Sequence, residues 1–274
     1  MKLATLRTAG GTRAALLDEE CTWLLPHQTV GEALAAGVHR GGSGADREPG
    51  PSAREADHAS LLPRAGKVVC VGHNYEQHIL EMGHGLPEHP TLFSKFASAL
   101  VGAYDDVCLD PAAQGWDWEA ELAVVIGSPV RHADGAQARE AIAGFTVAND
   151  VSARDWQRRT TQWLAGKSWD ATTPLGPVLV TPDEVGGGAD LLVTCSVDGV
   201  EKQRARTSDL LFGPEELVAY VSTFTRLEPG DVLLTGTPAG VGAARTPPEQ
   251  LRPGQLLETT IEGVGTCRNA CVAS

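Results

Sequence analysis

The chain has 274 residues, 42% of them apolar and 21% charged, enough for one large domain or for one domain with a small appendage. Its formal net charge of -13 disfavours nucleic acid, because phosphate contacts need an excess of Lys and Arg. The same charge weighs against an anionic membrane surface. It leaves open an anionic small substrate, since a local cation or metal can reverse the field in one cleft.

No stretch approaches the roughly 20 apolar residues of a membrane span, and the opening MKLATLRTAGG has no apolar core of a secretory signal. The six cysteines, Cys21, Cys70, Cys108, Cys195, Cys267 and Cys271, lack paired zinc spacing. They read as reduced thiols of a cytoplasmic protein.

Along the chain, short strands are expected near 2–7 and 13–17 and a short helix near 30–37. Residues 40–66, rich in Gly, Pro, Ser and charge, read as a linker or long surface excursion. KVVCVGHNY then opens like a buried strand ending in a turn. Further strands are expected at 122–126, 144–147, 178–181, 191–197, 232–235 and 256–261. Helices are expected at 74–82, 136–141, 151–157 and 214–224, the last opening with Pro-Glu-Glu. Strand and helix do not alternate regularly, so a mixed, mostly β architecture is favoured over a doubly wound sheet.

One stretch carries chemistry. In GWDWEAELAVVIG, Asp117, Glu119 and Glu121 occupy every second position, which in a strand means one face. The plainer reading is an acidic sheet edge. Against it, the acids run straight into the apolar residues 122–126, and a buried carboxylate needs a cation or metal beside it. Oxygen-only ligands select magnesium, calcium or manganese over zinc. Asp150, where an apolar strand ends, is the best candidate for a third ligand; its plainer reading is a helix N-cap.

GHNYEQHILEMG, PTLFSKFASALVG, DWEAELAVVIG, FTVANDVSARDWQ, GKSWDATTPLGPVLVT and GDVLLTGTPAGVG follow one another in this order. Together, over roughly residues 66–270, they resemble the fumarylacetoacetate hydrolase family, including its acylpyruvate hydrolase and oxaloacetate decarboxylase members. The resemblance implies an α+β, mostly β fold: a mixed β-roll catalytic domain over 63–274 after a small N-terminal domain and linker over 1–62. It also implies a divalent metal, usually magnesium with manganese or calcium as alternatives, and a homodimer. Glu119, Glu121 and Asp150 would be its ligands, and Asp117 would lie at the surface or, at most, behind the ligands.

His78 and Glu81 stand at i and i+3 of an expected helix, where a carboxylate can orient an imidazole. The family resemblance makes them the pair that activates water, on a segment that closes over substrate. Lys167 of GKSWD matches the family's active-site lysine, placed to stabilise an oxyanion. If 151–157 is one helix, Asp150, Arg154 and Gln157 share a face, and by resemblance Arg154 and Gln157 touch substrate. Thr237, in the turn TGTPAGVG, offers a hydroxyl or N–H to substrate oxygens by the same resemblance. His73, His84 and His89 read as solvated. Trp118 and Trp169 read as core. Trp156 and Trp163 line the pocket or simply pack.

The expected activity is cleavage of a carbon–carbon bond in an acylpyruvate or related 2,4-dioxo acid. The alternatives are 2-oxo acid decarboxylation or isomerisation at the same metal, and, from another class, a non-catalytic binding protein that kept the fold. The intact set of site residues speaks against the last. KFAS replaces a proline common after the lysine in relatives, and RRTTQWLAG, residues 158–166, offers selection of a bulky or anionic substrate tail.

Overall fold

The computed structural model describes residues 1–41, 46–81 and 85–274, with the side chains of His78 and Glu81 outside that description. Its centre is the strand Ala120–Ile126, whose seven residues are all buried. Leu122, Val124 and Ile126 enter one apolar cluster, and Ala123 and Val125 enter another. Strand periodicity of two thus sends alternate side chains into cores on opposite faces of one sheet.

That sheet has eleven strands. Ala120–Ile126 lies between Ile142–Asn149 and Val232–Leu234, antiparallel to both. One face carries the five-stranded sheet, through Val193, Cys195, Leu257 and Cys267, and the helix Pro214–Phe224, through Leu217, Val218 and Val221. The other face is covered by the N-terminal helix Val30–Ala35, through Val30, Ala33 and Leu34, with Leu61 and Leu62 beside it. The mostly β, mixed architecture expected from sequence is the one observed.

The N-terminal strand Lys2–Thr8 pairs with Thr173–Val180, so the first residues are continuous with the large sheet. Within the polar stretch expected as a linker, Glu48–Ser52 forms a strand against Cys21–Leu24, and Leu61 and Leu62 are buried. Two leucines after a polar run sufficed to tie that stretch to the core.

The helices expected at 30–37, 74–82, 136–141 and 214–224 occur as Val30–Ala35, Glu76–Glu81, Gly135–Ala141 and Pro214–Phe224. The helix expected at 151–157 does not form as such. Ser152–Ala153 pairs with Trp116–Asp117, and only Arg154–Gln157 makes a helical turn. Asp150 is therefore not an N-cap, a position held by Ala153.

Candidate active site

The site forms where the two central strands end together. Ala120 faces Asn149 in the antiparallel register, so the residues just outside that pair, Glu119 and Asp150, meet. The Asp150 N–H donates to the Glu119 carbonyl at 2.8 Å. Asn149 locks this corner: its Oδ1 accepts from the Glu119 N–H at 2.9 Å and its Nδ2 donates to the Thr259 hydroxyl at 2.9 Å. Carboxylate oxygens of Glu119, Glu121 and Asp150 lie within 4.8 Å of one another, all three residues buried.

Glu121 accepts from the Gly236 N–H at 2.6 Å. Gly236 sits at φ 100°, and a Cβ there would come within 2.9 Å of the Asn74 Cβ and 3.0 Å of the Val71 carbonyl. The glycine of the TGTP turn thus brings a backbone donor onto a buried acid where no other residue fits.

Three cations face these acids. Lys95 Nζ donates to Asp150 Oδ1 at 2.5 Å, and Lys167 Nζ reaches Asp150 Oδ2 at 2.8 Å and Glu119 Oε2 at 2.6 Å. The Arg154 guanidinium spans Asp117 Oδ2 at 2.8 Å and Glu119 Oε1 at 2.6 Å. Burial alone would raise the Glu119 carboxyl, but Lys167 and Arg154 outweigh it and hold the group down at about 2. Glu121 goes the other way. Burial, then the charges of Asp150 and Glu119, push it well above the usual carboxylate range. Burial opposes the charge on Lys167, yet Asp150 and Glu119 raise it above an ordinary lysine, so it stays an ammonium.

Of the two places expected for Asp117, the structure shows the one behind Glu119. It is buried rather than at the surface, and its carboxylate accepts from the N–H groups of Trp118, Gly242 and Ala243 at 2.8, 2.7 and 3.0 Å. Fixed by that backbone nest, it aims Arg154 at Glu119. Arg154 therefore turns towards Glu119 and Asp117 rather than sharing a helix face with Asp150. Lys95 is the residue sequence reasoning passed over. It ends the strand Thr91–Lys95 on the same side as Phe93, and its side chain is fully buried.

Above the acids opens a cavity of about 390 Å³, lined by Glu119, Lys167, Arg154, Gln157 and Thr237 on its polar side and by Phe93, Trp163 and Val241 on its apolar side. Gln157 Oε1 accepts from Arg154 Nη1 at 2.9 Å. Thr237 is held by Gln203 Nε2, which donates to its hydroxyl at 2.8 Å. Gln157 backs closely on the helix Leu164–Lys167, since a Cβ on Gly166 would fall 2.5 Å from the Gln157 Cα. The cavity thus joins Lys167, Arg154, Gln157, Thr237 and Glu119; Glu121 and Asp150 complete the triad at its floor.

His73 also lines the cavity, edge-on to Trp163 at 5.4 Å, rather than facing solvent. His89 is exposed and stacks on Tyr220 at 6.2 Å. Trp163 lines the cavity, whereas Trp156 packs edge-on against Trp169 at 5.2 Å. Trp118 is core, and Trp169 packs half-buried against the core. The side chains of His78 and Glu81, and His84 as a whole, lie outside the described residues; the helix Glu76–Glu81 carries the first two in one element.

Three buried carboxylates converging without a sulfur or imidazole among them fit a hard divalent cation such as magnesium, manganese or calcium. A mostly β fold with such a triad beneath a cavity of mixed polarity has the features of an enzyme with a candidate metal site. The chain belongs to the fumarylacetoacetate hydrolase family: residues 67–272 match the fumarylacetoacetate (FAA) hydrolase C-terminal domain.

It is 49% identical over 213 residues to human mitochondrial oxaloacetate tautomerase FAHD2A, covering 77% of this chain and 68% of that one. It is 37% identical over 276 residues to the 2,4-didehydro-3-deoxy-L-rhamnonate hydrolase of Sphingomonas sp. strain SKA58, covering 98% and 95%. Among solved structures, the fumarylacetoacetate hydrolase of Exiguobacterium antarcticum superposes with a TM-score of 0.89 at 32% identity, each chain covered in full. The fumarylpyruvate hydrolase of Pseudomonas aeruginosa, in complex with Mn2+ and pyruvate, gives 0.69 at 31% identity over 77% of this chain and 91% of that one.

Proposed function

We propose that the protein is a metal-dependent enzyme of 2-oxo acids that hydrolyses a carbon–carbon bond in an acylpyruvate or related 2,4-dioxo acid. The supporting observation is the cavity in which Lys167, Arg154, Gln157 and Thr237 face one another above Glu119, Glu121 and Asp150. These three carboxylates would hold a divalent cation, magnesium first and manganese or calcium next, which supplies Lewis-acid polarisation of the 2-oxo group.

The chain's own groups do the rest. Arg154, fixed by Asp117, and Gln157 bind and orient the substrate carboxylate. His78, held by Glu81, takes a proton from water as its oxygen bonds to the distal carbonyl carbon. Lys167 offsets the negative charge that develops on that oxygen. The bond between this carbon and its methylene neighbour then breaks. Its electron pair stays with the pyruvate fragment as an enolate, which takes a proton and leaves as a 2-oxo acid beside the released carboxylic acid. The apolar wall of Phe93, Trp163 and Val241 keeps bulk water from that enolate.

A second reading rests on the 49% identity to a protein named as an oxaloacetate tautomerase. Here no water adds: a proton moves between carbon and the enol oxygen of oxaloacetate, whereas decarboxylation would break the bond to the distal carboxylate, release carbon dioxide and leave the enolate of pyruvate, which then takes a proton. We also propose a homodimer in the cytoplasm, without nucleic-acid or membrane partners; among the described residues no helix is long and apolar enough to cross a membrane.

The test is a magnesium-dependent assay on acetylpyruvate and oxaloacetate, following enol absorbance, for wild type and His78→Ala. Cleavage of acetylpyruvate that is lost in the variant supports the hydrolase. Turnover of oxaloacetate alone, surviving in the variant, transfers the protein to the second reading. Metal binding without turnover of any oxo acid would leave a non-catalytic member of the family.

A further inference from the structure

One histidine meets the cavity from a strained position. The strand Val68–Gly72 ends, and His73 follows at φ 55°, in the left-handed region, an uncommon place for a residue with a side chain. Its neighbours hold it there. The ring of Trp163 lies where a Cβ on Gly72 would stand. Asn74 is fully buried: its Nδ2 donates to the carbonyls of Phe212 at 3.0 Å and Thr235 at 2.7 Å, and its Oδ1 accepts from the Phe212 N–H at 2.9 Å. Gly236, whose N–H holds Glu121, packs closely on the same segment at Val71 and Asn74. The backbone beside His73 is thus one contact away from the triad.

The half-buried His73 ring lines the cavity edge-on to Trp163, which in turn stands edge-on to Phe93 at 5.3 Å. Lys167 Nζ lies 4.9 Å from the centre of the Phe93 ring. His73 therefore forms a polar end to the wall that shields the enolate from bulk water. An enolate carbon walled off in this way needs a proton donor within the wall. The cations at the triad are committed elsewhere: Lys167 to Glu119 and Asp150, Arg154 to Asp117 and Glu119. Among the described residues lining the cavity His73 is the one histidine, the residue type whose charge ordinarily changes near neutral pH. A backbone conformation this rare, imposed at a cavity wall, is where a function is to be sought.

We propose that His73 is a second catalytic histidine, the one that moves the proton at carbon. This rests on the reading of the site as a 2-oxo acid site. After carbon–carbon cleavage, the His73 imidazolium donates its ring proton to the methylene carbon of the enolate. The N–H bond breaks, a C–H bond forms from the enolate's electron pair, and the 2-oxo group returns. His73 then regains from solvent the proton that His78 gives up to it. In the tautomerase reading the same ring works in reverse. Neutral His73 takes a proton from the methylene carbon of oxaloacetate, the C–H electron pair becomes the enol double bond, and the ring's proton passes to the enol oxygen by way of solvent.

The experiment uses the whole chain with magnesium. Exchange of the methyl protons of pyruvate for deuterium in heavy water is followed by proton NMR, beside cleavage of acetylpyruvate. The variants are His73→Asn and His73→Gly, since both residues accept a left-handed backbone, with His78→Ala and the surface change His89→Ala alongside. Wild type is expected to exchange. Both His73 variants are expected to lose about a hundredfold or more in exchange, the scale of one positioned acid–base group, while binding magnesium as wild type does in calorimetry. Added imidazole is expected to restore part of the rate in His73→Gly, an effect that a merely structural histidine would not show. His78→Ala is expected to lose cleavage and keep exchange, and His89→Ala to keep both. Unchanged exchange in both His73 variants would overturn the proposal and leave the oxo-acid site standing. Exchange lost together with magnesium affinity, and without response to imidazole, would overturn it too, making His73 a structural residue. A wild type that neither exchanges nor cleaves any oxo acid would instead refute the oxo-acid reading, and this inference with it.

Discussion

Two sets of ion pairs lie within 0.4 Å of one another in length and differ in what surrounds them. Arg7 at the surface reaches Asp57 at 2.9 Å and Asp105 at 2.7 Å, with its own side chain 41% exposed. At the end of the central strands, Lys95 reaches Asp150 at 2.5 Å and Lys167 reaches Glu119 at 2.6 Å, with side chains between 0% and 9% exposed. Water competes for the surface charges, and breaking a pair there restores hydration. In the buried set each charge depends on its partner, and removing one strands the other. The buried pairs are therefore a poor way to gain stability and a good way to fix carboxylates where a metal would need them.

The largest expected effect comes from deleting a ligand. Glu119→Ala or Asp150→Ala is expected to weaken magnesium or manganese binding by more than about a hundredfold, beyond what loss of a supporting partner costs, and to abolish every activity together. Calorimetric titration with the metal alone checks this. Full affinity in either variant would remove the triad from the account.

Next comes a supporting cation. Lys95→Met is expected to cost about 3 kcal/mol in urea unfolding without metal, at the low end for a broken buried pair because Lys167 still faces Asp150. Saturating magnesium is expected to return part of that loss by neutralising Asp150. An equal loss with and without metal would make Lys95 a packing residue.

A subtler contrast lies inside the cluster. Glu119 and Glu121 are two positions apart, yet one is held at about 2 and the other pushed well above the ordinary carboxylate value. Their linkage to pH has opposite sign. The contribution of Glu119 is present above the ordinary Glu value and is lost as pH falls towards about 2. The contribution of protonated Glu121 is present below the ordinary value and is lost as pH rises through its raised one. A metal bound there would compete with a proton on Glu121. At about pH 6, where an ordinary Glu has none to give, calorimetry in two buffers of different ionisation enthalpy is expected to detect proton release on metal uptake. Glu121→Gln is expected to abolish it. Metal uptake without a proton would mean that Glu121 is already ionised.

Spacing marked Glu119 and Glu121 as candidates, and the family resemblance, not spacing, supplied Lys167, Thr237 and the substrate roles of Arg154 and Gln157. Glu119 and Glu121 alternate into an apolar run, and the same alternation builds both cores around Leu122–Ile126. What stayed hidden was long-range. Nothing local says that Asp117 will be wrapped by the N–H groups of residues 242 and 243, so it read as a surface acid or, at most, one behind the ligands. Lys95 read only as the lysine before the KFAS departure, although its i, i+2 relation to Phe93 was a signal that both face the site.

The helix expected over 151–157 lost its first half because Ser152 and Ala153 found a strand partner at 116–117, a tertiary pairing that helical propensity cannot anticipate. The strand Val200–Arg206 was also missed. The signal for it was Asp198-Gly199, a turn with φ of 51° and 76° that closes a hairpin against Leu192–Val197.

The smallest expected effect closes the comparison from its exposed side. Arg7→Ala removes contacts to Asp57 and Asp105 and a donor to the His58 carbonyl at 2.7 Å. It is expected to cost about 1 kcal/mol or less, because both carboxylates return to water. The loss is expected to shrink further as salt is raised, since charges this exposed are screened over about 8 Å at physiological ionic strength. Lys95→Met, its charges shielded from solvent ions, is expected to show almost no salt dependence in the same unfolding experiment. If the two variants responded to salt alike, burial would not be what separates the two sets of pairs, and the fixed geometry of the triad would need another cause.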